Sequence, residues 1–186
     1  GGSNTYTQGT MLSAGPLAVS ADANLGAAGA GLDLEGGILE VTGTAFQSTA
    51  RAITLGDPGG GFDIADAANV FAVSQALSGT GGLTKLGAGT LVLSGANNYS
   101  GGTTISAGTL QGDAGSLQGN VVDNAALVFN QGTNGAFVGN VSGSGTLTKL
   151  GAGVLTLSGA NSYSGGTVIS AGTLQGDTTS LQGNIT

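Results

Sequence analysis

Residues 79–120 read GTGGLTKLGAGTLVLSGANNYSGGTTISAGTLQGDAGSLQGN, and residues 143–184 repeat them as GSGTLTKLGAGVLTLSGANSYSGGTVISAGTLQGDTTSLQGN. With Gly79 aligned on Gly143, all but eight positions are identical. A block that returns at a fixed period favours a stacked fold, in which each unit covers the apolar surface of the one before it.

The differences between the copies identify the type of unit. Thr90-Leu91-Val92-Leu93 becomes Val154-Leu155-Thr156-Leu157. The leucines are kept, while the positions between them exchange Thr and Val. Side chains of a strand alternate between its two faces. Leu91, Leu93, Leu155 and Leu157 are therefore expected to face a core, and Thr90, Val92, Val154 and Thr156 to face outward. A helix would need spacings of three and four.

Composition agrees with strands. Glycine contributes 39 of 186 residues, and an interior helical glycine costs about 1 kcal/mol relative to alanine. Apolar residues make up 39% and alternate, which argues against disorder. There is no Cys and no His, so disulfides and thiolate or imidazole metal sites are excluded, as are Ser-His-Asp and Cys-His nucleophiles. A net charge of −7 with three basic residues argues against nucleic acid. No apolar run is long enough for a membrane-spanning helix, and no signal peptide is recognisable. The chain reads as a window from a longer repetitive protein, organised as one segment over residues 1–186.

Short strands are expected at residues 10–13, 17–20, 32–35, 38–41, 53–55, 62–64, 70–73, 126–129 and 136–141, with turns at 24–31 and 56–61. Such strands without helices fit a sandwich, a barrel or a solenoid. The near-identical copies favour the last: a single-stranded parallel β-helix. The offset between the copies divides into three coils of about 21 residues, giving about nine coils in all. Leucine then stacks on leucine, and glycine and asparagine serve the turns.

Residues 83–111 and 147–175, LTKLGAGTLVLSGANNYSGGTTISAGTLQ and LTKLGAGVLTLSGANSYSGGTVISAGTLQ, resemble the passenger-associated transport repeat of bacterial autotransporter passengers of the AIDA-like adhesin group. Residues 17–56 resemble the lead-in segments of such passengers. The resemblance implies a right-handed parallel β-helix exported to the cell surface through an outer-membrane barrel that this chain does not include. It also associates the repeat with passenger folding and transport.

Few residues are candidates for chemistry. Asp57, Asp63 and Asp66 form the densest carboxylate group. They read first as a solvated turn, and otherwise as a Ca²⁺ site or the acids of a polysaccharide hydrolase. Lys85 and Lys149 occupy equivalent repeat positions and are expected at strand ends as snorkelling or solvated charges, with a ligand-contacting role as the alternative. Tyr99 and Tyr163 are expected to fold over a coil edge, with sugar stacking as the alternative. The sequons at Asn98, Asn140 and Asn184 carry no expectation of glycosylation. No catalytic, cofactor or metal residue is assigned.

Three functions follow from this reading: a rigid stalk and export module of a surface adhesin, in adhesion or biofilm formation; a module that self-associates through solenoid ends or faces; and a polysaccharide-acting enzyme. The stalk ranks first because the repeats offer almost no reactive side chains. Its cell-surface or matrix ligand is not legible.

Overall fold

The computed structural model describes residues 2–186. It is a parallel β-solenoid of about eight turns, one fewer than the sequence period suggests. Every strand pairing is parallel. The helical content among the described residues is one 3₁₀ turn, Asp22–Leu25. Stacked strands lie about 4.8 Å apart, so eight turns make a body about 38 Å long.

Each coil passes three faces in order, here called A, B and C. Face B carries seven strands, from Gly15–Val19 to Val141–Ser142, and face C seven, from Ser48–Thr49 to Thr167–Ile169. Face A carries four strands, from Thr10–Leu12 to Leu77–Ser78, and three more from Gly135–Phe137 to Thr173–Gln175. Between those groups it is irregular, at Asn97 to Tyr99 and around Leu117.

The core is a set of vertical columns. On face C, Phe71, Leu91, Leu110, Leu127 and Leu147 stack in register, all fully buried. Leu155 is equally buried on face A, between Gly135 and Leu174. The outward positions Thr90, Val92, Val154 and Thr156 are half-buried, as alternation predicts. Several expected bounds shift by a residue or two, and two change more. The glycines at 59–61 lie within the strand Gly59–Ile64 rather than in a turn, and residues 136–141 divide into Gly135–Phe137 and Val141–Ser142. Glycine is required at position 60 by a close approach, because a Cβ there would collide with the Leu34 Cβ.

Coil length varies along the chain. The step from Ile53 to its partner Leu77 is longer than the average coil, whereas the step from Thr109 to Ala126 is shorter. Leu83, Thr103, Val121 and Val141 stack on face B, so three coils starting at Leu83 close at Val141. The repeat counterpart of Leu83 is Leu147, which lies past Val141 by the width of one face. The strand Gly82–Leu86 is accordingly on face B, but its copy Thr146–Leu150 is on face C. Likewise Asn98 donates its amide to Leu77 on face A, while Ser162 donates to Val141 on face B. The second repeat is thus the first turned by about a third of a revolution.

At the first coils an ion pair between a buried Arg51 and a partly exposed Asp22 holds the chain. Arg51 is 2% exposed, and its Nε and Nη2 donate to Asp22 Oδ1 and Oδ2, both at 2.9 Å. Nη1 and Nη2 also donate to the carbonyls of Ala27, Ala30, Asp22 and Gly26. Partial desolvation raises the Asp22 pKa, but hydrogen bonds from Arg51 and Thr49 and the guanidinium charge outweigh it and hold it below the usual range. Removing the guanidinium leaves the four carbonyls without their donor, whereas Asp22 can turn to water. Arg51→Met is expected to destabilise the chain by about 3 kcal/mol. Urea denaturation checks the value, and amide exchange should show residues 22–30 losing protection first.

Candidate functional site: inter-coil locks and a surface trough

Polar residues that recur in both repeats point inward. In Gly82–Leu86 the strand alternation places Leu83 and Lys85 on the same inner side. Lys85 and Lys149 are both fully buried: the stems lie inside, as in the snorkelling expectation, but the ammonium groups bond backbone carbonyls instead of reaching solvent. Lys85 stacks between Phe62 of the coil before and Ile105 of the coil after. Lys149 stacks between Phe129 and Ile169. The Lys85 ammonium donates to the carbonyls of Leu86 (2.6 Å), Gly87 (2.9 Å) and, one coil on, Ala107 (3.2 Å). Lys149 repeats this with Leu150, Gly151 and Ala171 at 2.7, 2.7 and 3.1 Å. Desolvation pushes the Lys85 pKa down to about 8, with Asp63 pulling the other way, so the group is charged at neutral pH. Lys149 is lowered by the same cause.

A second lock follows where the strand ends. Leu91, Leu93, Gly95, Asn97 and Tyr99 alternate inward without interruption. Asn97 Oδ1 accepts the Leu77 amide of the coil before (2.7 Å), and Nδ2 donates to the Ser116 carbonyl of the coil after (2.6 Å). One amide side chain thereby replaces ladder bonds on the irregular part of face A. Asn161 does the same between Val141 and Ser180. Tyr99 and Tyr163 are 2% exposed and share hydroxyl bonds with Thr103 (2.8 Å) and Thr167 (2.7 Å). Their rings are inside, which corrects the coil-edge expectation and removes them from sugar stacking.

A third lock closes each block. Asp113 Oδ1 accepts the amides of Gly115 and Ser116, and Ser116 Oγ accepts the Asp113 amide. Asp177, Thr179 and Ser180 repeat the arrangement. The lysine lock joins two coils within a block, the asparagine lock joins the coil before it (Leu77 or Val141) to the coil after it (Ser116 or Ser180), and the Asp–Ser lock braces a single turn.

The carboxylates Asp57, Asp63 and Asp66 do not converge. Asp57 is exposed before the strand Gly59–Ile64, Asp66 lies beyond its other end, and a six-residue strand spans about 20 Å. Asp63 is outward on that strand, in register with Glu40, and Asp66 accepts the Ala68 amide. Among the described residues no group of three acidic side chains could hold a metal ion. Arg51 and Asp123, both buried, were not legible as site residues; their environments depend on which coil lies above.

On the outside, a trough of about 490 Å³ runs along the A–B corner between Gly36 and Thr104, and a second of about 330 Å³ continues it to Val122. Its floor is largely glycine backbone. The side chains it offers include Thr80, Thr84, Thr104, Ile38 and Leu86, with Asp57 the charged one. No aromatic or basic side chain lines either part.

Residues 83–111 and 147–175 match the Passenger-associated-transport-repeat family. The chain is 47% identical over 152 residues to the adhesin BmaC autotransporter of Brucella suis biovar 1 (strain 1330), covering 80% of this chain and 4% of that protein. It is 49% identical over 72 residues to an extracellular serine protease of Serratia marcescens, covering 38% of this chain and 7% of that protein. The chain thus spans a small fraction of the curated relatives it matches. No solved structure matches it. The matched repeats and the adhesin relative together show that this chain is a stretch of autotransporter passenger carrying two passenger-associated transport repeats.

Proposed function

We propose that this segment is a rigid spacer in an exported, adhesive surface protein, and that each repeat is a self-locking pair of coils that keeps the spacer folded outside the cell. The observation that carries this reading is the use of the same Lys, Asn and Asp–Ser bonds in both copies. The buried Lys and Asn side chains of each repeat are engaged between coils, which suits a load-bearing element better than a ligand site. The relative named as an adhesin supports the surface setting. The serine protease relative does not bring a Ser-His-Asp site with it, because this chain has no His.

Single-molecule pulling from the two ends tests the locked pairs. Each block, residues 79–120 or 143–184, should release as one step of about 150 Å of contour length. Smooth unravelling, one coil at a time, would contradict the locked-pair reading. A ligand site within the segment itself would show separately, as loss of adhesion when free chain competes with cells bearing the full protein. The spacer reading predicts no competition.

A further inference from the structure

Between the two locked blocks lies one joining coil, and its strand Val121–Asp123 ends in a carboxyl group with no exposed surface. Asp123 continues the inward column of face B above Lys85 and Ile105. Its Oδ1 accepts the Ala125 amide at 3.0 Å, while Oδ2 is buried without a partner. Gly145 of the next coil leaves just enough room, since a Cβ there would collide with the carboxyl group.

The elements packed around this group carry no charge that faces it. Ile105 lies below it; Val141 and Ser142 pair with the strand from above; the next strand, Ala126–Asn130, is uncharged. Lys85 is two coils down the column, with its ammonium directed at the backbone of its own corner and of Ala107. Desolvation pushes the Asp123 pKa up to about 6, with the Ala125 amide and the nearby Leu127 amide pulling the other way.

We propose that Asp123 is a proton-operated latch at the joint between the repeats. As a neutral acid it leaves the joining coil closed, and as a carboxylate it loosens that coil while the two blocks stay locked. The inference rests on the blocks being locked units. The sign follows from linkage. The folded chain holds this proton more tightly than the unfolded one, whose value is about 3.8, so stability falls as pH rises from about 4 through 6 and is flat above. A buried carboxylate that keeps an unpartnered oxygen is the costly form.

Amide exchange of the whole chain at pH 5 and pH 7.5, corrected for intrinsic rates, tests it. Residues 121–141 should lose about 10-fold in protection at the higher pH, as expected when the lower pH sits about one unit below the midpoint, while residues 84–112 change by less than about 3-fold. Asp123→Asn should abolish the difference. Equal joint protection at the two pH values, or a pH effect that persists in Asp123→Asn, would overturn the latch. Block amides no better protected than the joint at pH 7.5 would instead overturn the locked-unit reading. Where Asp123→Asn fails to fold, carboxyl ¹³C titration of the unaltered chain decides: a midpoint near 6 supports the latch, and one near 4 refutes it.

Discussion

Lys85→Ala should destabilise the chain by about 4 kcal/mol, the largest single-residue effect expected within a repeat. Two effects add. The aliphatic stem fills the space between Phe62 and Ile105, and deleting a buried stem of that size costs about 2–5 kcal/mol through the cavity it leaves. The three carbonyls of Leu86, Gly87 and Ala107, on half-buried corner residues, also lose their donor. Lys85→Met separates the two. It keeps most of the stem, so its loss of about 2 kcal/mol reports the ammonium alone. Urea denaturation of the three proteins measures both. A Lys85→Met variant as stable as the unaltered chain would show that the ammonium does not bind the coils together.

Asn97→Ala should cost about 3 kcal/mol, because it leaves the buried Leu77 amide and Ser116 carbonyl unpaired in two different coils. Asn97→Asp gives a sharper test. Its Oδ1 can still accept from Leu77, but the oxygen replacing Nδ2 would face the Ser116 carbonyl. Asn97→Asp should therefore be less stable than Asn97→Ala at pH 7, and should recover part of the difference near pH 4, where the acid can donate. Equal stability of the two variants would mean that this side chain does not bridge the coils.

The inward positions are legible in the alternation of residues, and the habits of charged side chains obscure them. The period of two that places Leu91 and Leu93 inward also places Leu83 and Lys85 inward, and it continues through Asn97 and Tyr99. The usual preference of lysine for water runs against that pattern. The preference fails here because each ammonium meets three carbonyls at a corner. The one-face shift between the copies is not legible. All three faces bury leucines, as Leu83 on face B, Leu147 on face C and Leu155 on face A show, so inward leucines are accommodated whether the offset is three coils or a third of a coil more. Coil length is set by corners such as the one at Gly81, where a Cβ would collide with the Gly56 carbonyl oxygen. The burial of Asp123 and the pairing of Arg51 with Asp22 depend on that same length. The separation of Asp57, Asp63 and Asp66 is legible once the residues between them are extended, because an extended chain carries the three apart.

The register of the face that carries both copies is the most direct test. Val92, Gln111, Val128, Thr148 and Val168 form one outward column on face C, joining residues that are not equivalent between the repeats. The chain has no native cysteine to interfere. Stacked neighbours lie about 4.8 Å apart, within the range a disulfide can bridge. The predicted result is that the pairs Val92→Cys with Gln111→Cys and Val128→Cys with Thr148→Cys both oxidise within the monomer. Closure of the first pair with free thiols remaining in the second would contradict the stacking of the two repeats one face apart.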